Sequence, residues 1–367
     1  MDRRQFIKAG TLLPAAAAVS GLPGFAAANT TANSKWRMYE VTTQVEVLKS
    51  AGVTRVWLPV PLTVDTDYQK DQGSHWSAEG GKASLVRDPK YGAGIVSAEW
   101  AEGVQKPTLK LVSRFATREH IVDLKNPANA WPEDRATLAR FVAPTELMPT
   151  DGIVRKTALE ITRGAKTDTD KARAIYEWVV ENTVRDPKTR GCGVGDIKAM
   201  LETKNLSGKC ADLNALFVGL ARSVGIPARD VYGVRVAKSE YGYRSLGAGT
   251  ENITKAQHCR AEFYSVAHGW VPVDPADVRK VVLEENPDGQ LTLDDDRVKK
   301  ARARLFGSWE MNWLAYNYAH DVALPGAARG KIGFLMYPNA ETAQGRLDSL
   351  DPDSFKYSIT AREVKPA

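Results

Sequence analysis

The chain has 367 residues, 43% of them hydrophobic, which is enough for two modest domains with cores of their own. Its formal net charge of +6 comes from 50 basic and 44 acidic side chains spread along the sequence without a basic run or interleaved aromatics. That pattern disfavours nucleic-acid binding and leaves only a mild attraction to anionic polymers.

The first segment, Asp2-Arg3-Arg4-Gln5-Phe6-Ile7-Lys8, precedes an apolar run from Ala9 to Phe25 that is broken by Pro14 and Pro23 and followed by Ala26-Ala27-Ala28. It resembles a bacterial twin-arginine export signal over residues 1–28, cleaved near Ala28. The resemblance implies a soluble chain delivered to the periplasm or otherwise exported, in contact with the membrane only during export. Losing Asp2, Arg3, Arg4 and Lys8 removes a net +2 from +6, so the mature chain would carry +4. No other stretch approaches the length of a membrane span.

Residues 29–122 read as an N-terminal β-rich, sandwich-like domain. Met38–Val47, Thr54–Leu58, Ile95–Trp100 and Thr108–Phe115 have strand composition and are separated by Gly, Pro and Asp turns. The prolines of Trp57-Leu-Pro-Val-Pro61 place that strand at an edge. His75 and His120 stand alone, as ordinary surface or satisfied histidines. Residues 123–150, rich in Pro, Asn, Asp and Glu, read as an ordered linker.

Residues 151–325 form the second domain. Ile153, Val154, Thr157, Ala158 and Ile161 share a helix face ended by Gly164, and a second helix runs from Asp168–Asp170 to Asn182 with Ala172, Ile175, Tyr176 and Val179 inward. Arg190-Gly-Cys-Gly-Val-Gly195 lacks the Lys-Ser/Thr of a phosphate loop and reads as a mobile segment before a short helix containing Ile197, Met200 and Leu201. Then comes Ser207-Gly-Lys-Cys210. Leu213, Leu216, Phe217, Leu220 and Val224 give the following helix an apolar face, stopped by Gly225 and Pro227. Ser207 is the candidate cap, and Cys210 falls in the first turn, where free N–H groups and the helix dipole favour a thiolate and an adjacent anion. Asp212 reads as a capping residue; Asn214, one turn beyond the sulfur, carries both a packing and a site reading.

Val231–Val236 reads as a strand, and the Gly- and Tyr-rich 239–250 segment as a binding loop or a plain surface loop. Gln257-His258-Cys-Arg-Ala-Glu262-Phe-Tyr264 and Gly269-Trp-Val-Pro-Val-Asp274 form a hairpin. Its geometry sets His258 and Asp274 on neighbouring antiparallel strands, close enough for a carboxylate to fix the imidazole's tautomer. His268 lies in the turn and is not the expected base. Trp309, Trp313, Tyr316 and His320 recur at helical spacing, and residues 326–367 supply two C-terminal strands closing the core, with aromatics able to wall the cleft.

Gly208-Lys-Cys210, the Gly225-Ile-Pro-Ala-Arg229 stop, His258 with Glu262, and Gly269-Trp-Val-Pro-Val-Asp-Pro275 together resemble the transglutaminase-like superfamily over roughly residues 150 to 285. The resemblance implies an α+β fold, a papain-like core of helices on an antiparallel sheet, with Cys210 as nucleophile, His258 as base and Asp274 as orienter. It differs at Arg260, where the family often has an aromatic residue; this puts a cation on the His258 face of the strand, near the cleft.

The expected function is an exported cysteine hydrolase, a peptidase or amidase working through a thioester on a peptide, a protein or an envelope polymer. Two alternatives stand beside it: glutamine acyl transfer to an amine, and a non-catalytic peptide- or partner-binding module. No Cys or His spacing resembles a metal site and no cofactor is expected. Cys192 and Cys259 either pair as a disulfide after export or, for Cys259, fill the core as a small apolar side chain on the strand face opposite His258.

Overall fold

In a computed structural model, which describes residues 35–127, 132–351 and 355–365, the chain begins with strands β1 (Arg37–Glu46), β2 (Thr54–Pro59), β3 (Gln69–Glu79), β4 (Lys82–Arg87), β5 (Gly94–Trp100), β6 (Thr108–Thr117) and β7 (His120–Ile121). The expected export signal, residues 1–28, lies outside the described residues. Next come α1 (Arg135–Val142), α2 (Gly152–Ile161), α3 (Asp168–Asn182), β8 (Val184–Arg185), α4 (Ile197–Thr203), β9 (Ser207–Gly208) and α5 (Cys210–Ser223). The chain continues through β10 (Ala228–Arg235), β11 (Gln257–Ser265), β12 (Gly269–Val273), α6 (Pro275–Glu284) and α7 (Asp296–Arg304). It ends with β13 (Ser308–Trp309), β14 (Trp313–Asn317), β15 (His320–Val322), β16 (Ile332–Phe334), β17 (Asn339–Thr342), β18 (Gly345–Arg346) and β19 (Lys356–Val364). Among the described residues, no helix is long and apolar enough to cross a membrane.

Alternation builds the N-terminal sheets. Leu109 and Leu111 of β6 and Val41 and Val45 of β1 are buried, while Lys110 and Gln44 face out. Two antiparallel sheets result, in strand orders β19-β1-β6-β3 and β18-β17-β2-β5-β4, and residues of both, including Tyr39, Leu58, Trp100, Phe115 and Ile359, share one core. The C-terminal segment serves both cores: Met336 is buried in the helical one with Phe334 and Tyr337 against it, while β19 and β17 join the sandwich sheets. β19 pairs along the length of β1, from Met38↔Val364 to Glu46↔Lys356, and β17 pairs with β2. Nor is β2 an edge: it lies between β17 and β5, but β17 pairs only with Arg55–Trp57, so the prolines follow beyond the last partner on that side.

The second sheet system runs β12-β11-β10-β14, antiparallel, with α5 packed against β10 and β11. α5 is buried on every side, all 14 residues of it, rather than on one face. Its small residues explain this: Ala211, Ala215, Gly219 and Ala221 alternate with the large ones, and a Cβ at Gly219 would run into Ile197 Cδ1. α3 starts at a capping box in which Thr167 Oγ1 accepts from Asp170 N and Asp170 accepts from Thr167 N, both at 3.1 Å.

Three further differences from the sequence reading have local causes. The linker contains α1, whose N-cap Asp134 accepts from Thr137 N at 3.0 Å. The expected aromatic helix through Trp309, Trp313, Tyr316 and His320 is instead β13, β14 and β15; β14 is buried at all five positions, so no alternation marks it as a strand. β3 and β4 carry many polar residues and form strands by pairing with β6 and β5. Because Leu216 is fully buried at the centre of α5, Leu216→Ala should lower unfolding stability by about 2–5 kcal/mol, read from urea denaturation midpoints at unchanged slope.

Candidate active site

The chain enters α5 through β9 and Lys209 rather than through a Ser207 cap; the Ser207 hydroxyl bonds Asn205 Oδ1 at 2.5 Å. Asp212 does the capping, as its spacing suggests. Its Oδ2 accepts from Lys209 N, and its Oδ1 from Val194 N and Gly195 N, each at 2.9 Å. A Cβ on Gly193 or Gly208 would run into this carboxylate, and Gly193 has a φ of +95°. The 190–195 segment, read as mobile, is thus tied to the cysteine helix. Ala211 N donates to Cys192 O at 2.8 Å, and Asp212 N and Leu213 N to Lys209 O at 3.1 and 3.0 Å. Among the described residues, Cys210 N is the amide of this turn without a hydrogen bond, so one free N–H, not several, faces the sulfur's surroundings.

β11 and β12 pair in the register Ala261↔Val273, which sets Asp274 opposite Arg260 and one step diagonally from His258. Asp274 is not a strand residue but the N-cap of α6, its Oδ1 accepting from Asp277 N at 3.1 Å. Its Oδ2 lies 2.7 Å from His258 Nε2, which leaves Nδ1 free of the acid, and His258 helps to lower the pKa of the Cys210 thiol. The structure thus brings together all three residues singled out in the sequence. Asn214 fixes the acid from the helix side: its Nδ2 donates to Asp274 Oδ1 at 3.2 Å and to Cys259 O at 2.9 Å, while its Oδ1 accepts from Ala276 N at 3.2 Å.

Two residues that the sequence reading did not single out complete the cluster. Asp277 Oδ1 lies 3.4 Å from His258 Nε2, and Arg235 Nη2 holds both Asp277 oxygens at 2.6 and 2.8 Å. Asp-Pro-Ala-Asp is legible as a helix start with acids at the cap and three residues later, and that was the available signal for Asp277. His258, Asp274 and Asp277 offer atoms within 4.8 Å of one another, a spacing that suits a metal ion, but Arg235 already supplies the positive charge there. Arg260 does not line an open cleft. It is buried beneath the acid, 3.9 Å from Asp274 Oδ2, over the Trp313 ring and donating to Glu310 O at 2.8 Å. Burial, then Arg235, lowers its guanidinium to about 10.

The Cys210 thiol is held well below its ordinary range, chiefly by hydrogen bonding from Cys192 and Cys259, then by His258, against the opposing effect of burial. For His258, burial and Arg235 disfavour the proton, but Asp277 and Asp274 outweigh them and the imidazole sits above its usual value. Burial raises Asp274 and Arg235 holds Asp277 down, so the second acid is the firmly ionised one. The three cysteines are free: Cys192 and Cys259 are not bridged, and Cys259 fills the core as expected, where it also lowers the pKa of Cys210 because α5 packs directly on β11. Tyr337 walls this corner, as expected of the C-terminal aromatics; its Oη would lie 3.0 Å from a Cβ on Gly191.

The other histidines sit elsewhere. His268 Nδ1 contacts Ser265 Oγ at 3.3 Å. His120 is buried rather than lone, stacked on Tyr68 and 3.6 Å from Glu262 Oε1, and His320 is 3.4 Å from Asp230 Oδ2.

Residues 155–275 match the sequence model of the transglutaminase-like superfamily. Over 372 residues the chain is 34% identical to a protein of Haemophilus influenzae (strain Rd) described as uncharacterized, covering 96% of this chain and 99% of that one. A crystal structure of a candidate cysteine protease from Cytophaga hutchinsonii shares the fold, with a TM-score of 0.51 and 15% identity over 90% of this chain and 99% of that one. The chain belongs to the family of the Haemophilus protein, and its residues 155–275 are a transglutaminase-like superfamily domain.

A depressed thiol gives a definite sign. Carbamidomethylation of Cys210 by iodoacetamide should accelerate as pH climbs through a transition well below the free-thiol value of about 8.5. His258→Ala should move that transition part of the way up, because Cys192 and Cys259 still hold the thiol down, with Asn214→Ala shifting it less, as read by intact mass against pH.

Proposed function

We propose that this protein is an exported cysteine hydrolase, a peptidase or amidase, with Cys210 as nucleophile, His258 as acid and base, and Asp274 as the group that orients the imidazole. The observation that carries the reading is the 2.7 Å contact between Asp274 Oδ2 and His258 Nε2, in an imidazole that helps to depress the pKa of the Cys210 sulfur. Export rests on the twin-arginine-like residues 1–28.

In this reading the Cys210 thiolate attacks a peptide or carboxamide carbonyl, and the resulting oxyanion takes the free Cys210 N–H as one donor. The imidazolium of His258 gives its proton to the leaving nitrogen, the C–N bond breaks and an amine departs, leaving a thioester. His258, now neutral, takes a proton from water; the hydroxide adds to the thioester, and collapse releases the acid and restores the thiolate. Asn214 keeps Asp274 in line throughout, and it acts as a positioning residue.

Water is the favoured acceptor because transfer to an amine needs an anionic groove for the incoming cation. The acids nearest the sulfur are already engaged: Asp274 with His258, Asp277 with Arg235, and Asp212 with three backbone amides. The test is product analysis with a glutamine-containing peptide and an added primary amine. Free acid is the expected product, a stable conjugate would mean transfer, and Cys210→Ala should abolish both; full activity in Cys210→Ser would remove the reading. Asn214→Ala should lower kcat by about 10- to 100-fold with KM nearly unchanged.

A further inference from the structure

The reaction above uses one cysteine, yet all three are gathered around its sulfur. The 2.8 Å bond from Ala211 N to Cys192 O lays the loop carrying Cys192 along the first turn of α5. The Cys192 sulfur lies 3.4 Å from Gln257 O, and from this loop it lowers the pKa of the Cys210 thiol. Cys259 approaches the same sulfur from β11. Disulfide-linked residues have Cα atoms about 4.4–6.8 Å apart. A main-chain hydrogen bond from the residue after Cys210 to Cys192 itself brings their Cα atoms to that order of separation.

The two neighbouring thiols sit in different backbone settings. Cys259 is fixed in the sheet, paired with Tyr232 and with its carbonyl bonded to Asn214 Nδ2 at 2.9 Å. Cys192 stands between Gly191 and Gly193, whose φ angles are +58° and +95°, in a stretch with no helix or strand. Its sulfur can turn toward Cys210 without disturbing the strand that carries His258.

We propose that Cys210 is a site of reversible oxidation by peroxides and that Cys192 is its resolving thiol. This rests on the same thiolate as the proposed reaction. The Cys210 thiolate attacks one peroxide oxygen: an S–O bond forms, the O–O bond breaks, the sulfur is oxidised to a sulfenic acid and the peroxide is reduced, its second oxygen leaving as hydroxide. The Cys192 sulfur then gives up its proton and attacks the Cys210 sulfur. An S–S bond forms, the S–O bond breaks, and the hydroxyl leaves with that proton as water. The disulfide keeps Cys210 from the irreversible sulfinic state, and a dithiol reductant returns both thiols.

The experiment treats the full chain with hydrogen peroxide, digests it without reduction and maps cross-linked peptides by mass. The expected product links Cys192 to Cys210 at about 2 Da below the summed peptide masses, and dithiothreitol restores iodoacetamide labelling of Cys210. In Cys192→Ser and Cys192→Ala, Cys210 should be trapped by dimedone and then pass to sulfinic acid, with the dithiothreitol-recoverable fraction about tenfold below wild type; Cys259→Ser should keep the Cys192–Cys210 link. A Cys210–Cys259 link, or equal recovery with and without Cys192, would overturn the proposal and leave the hydrolase reading standing. A Cys210 that resists both peroxide and iodoacetamide below the free-thiol range would remove the two together.

Discussion

Six ionisable groups buried in one pocket have to sum to nearly zero charge, and the rest of the site depends on that condition. Cys210, Asp274 and Asp277 contribute the negative charges; His258, Arg235 and Arg260 contribute the positive ones. Each of the six is at most 4% exposed, so none can rely on solvent for its stability. A lone buried ion is costly, whereas a hydrogen-bonded, balanced set is tolerated. This accounts for the second acid: Asp277, pinned by Arg235, lends the imidazolium an attraction that Asp274, itself raised by burial, supplies less firmly. It also gives Arg260 a purpose. The position where an aromatic residue is common in the superfamily here holds a cation, and Trp313 and Glu310 O keep it under the acid rather than in the path of a substrate.

The pocket's backbone is set by an equally specific steric condition. Asp212 must reach past Gly193 and Gly208 to bond three amides, and there is no room for a β-carbon at either glycine. The same carboxylate ties the loop that carries Cys192 to the start of α5, where Cys192 O accepts from Ala211 N and Lys209 O from Asp212 N and Leu213 N. What remains is a single unpaired amide at Cys210. A helix N-terminus is often treated as a general anion site, but here the structure has used all of its donors except the one adjacent to the sulfur.

The sequence disclosed these features unevenly, for physical reasons. Cys210, His258 and Asp274 were legible because each sits at a punctuated place: a Ser-Gly pair before a periodic helix, a strand start, and an Asp-Pro at a helix boundary. Asp277 and Arg235 were not, because an acid in a first turn and an arginine at a strand end are ordinary in sequence, and only the packing of α6 against the sheet brings Asp277 to His258 and Arg235 to Asp277. The strands near Trp309–Val322 were misread as a helix because burial on both faces erases the period of two. The destination of β17 and β19 was hidden for a different reason. Pairing between chain ends depends on which edges are open, and a local pattern does not encode that.

That pairing gives the β-sandwich a part in the site although it contributes none of the six charged groups. β19, laid along β1, accepts from the segment leading into β11: Ile253 N donates to Ile359 O at 2.8 Å, and Asn252 bridges to Thr360. β17, laid along β2, fixes the chain just after Tyr337, which stands against Gly191. The sandwich thus holds the approach to His258 on one side and the wall behind Cys192 on the other. A shift of the C-terminal strands against β1 and β2 would reach the sulfur from two directions at once, through the imidazole and through the loop that carries the neighbouring thiol. The spacing of Cys210 from both is therefore set by the register of a domain that carries no chemistry itself.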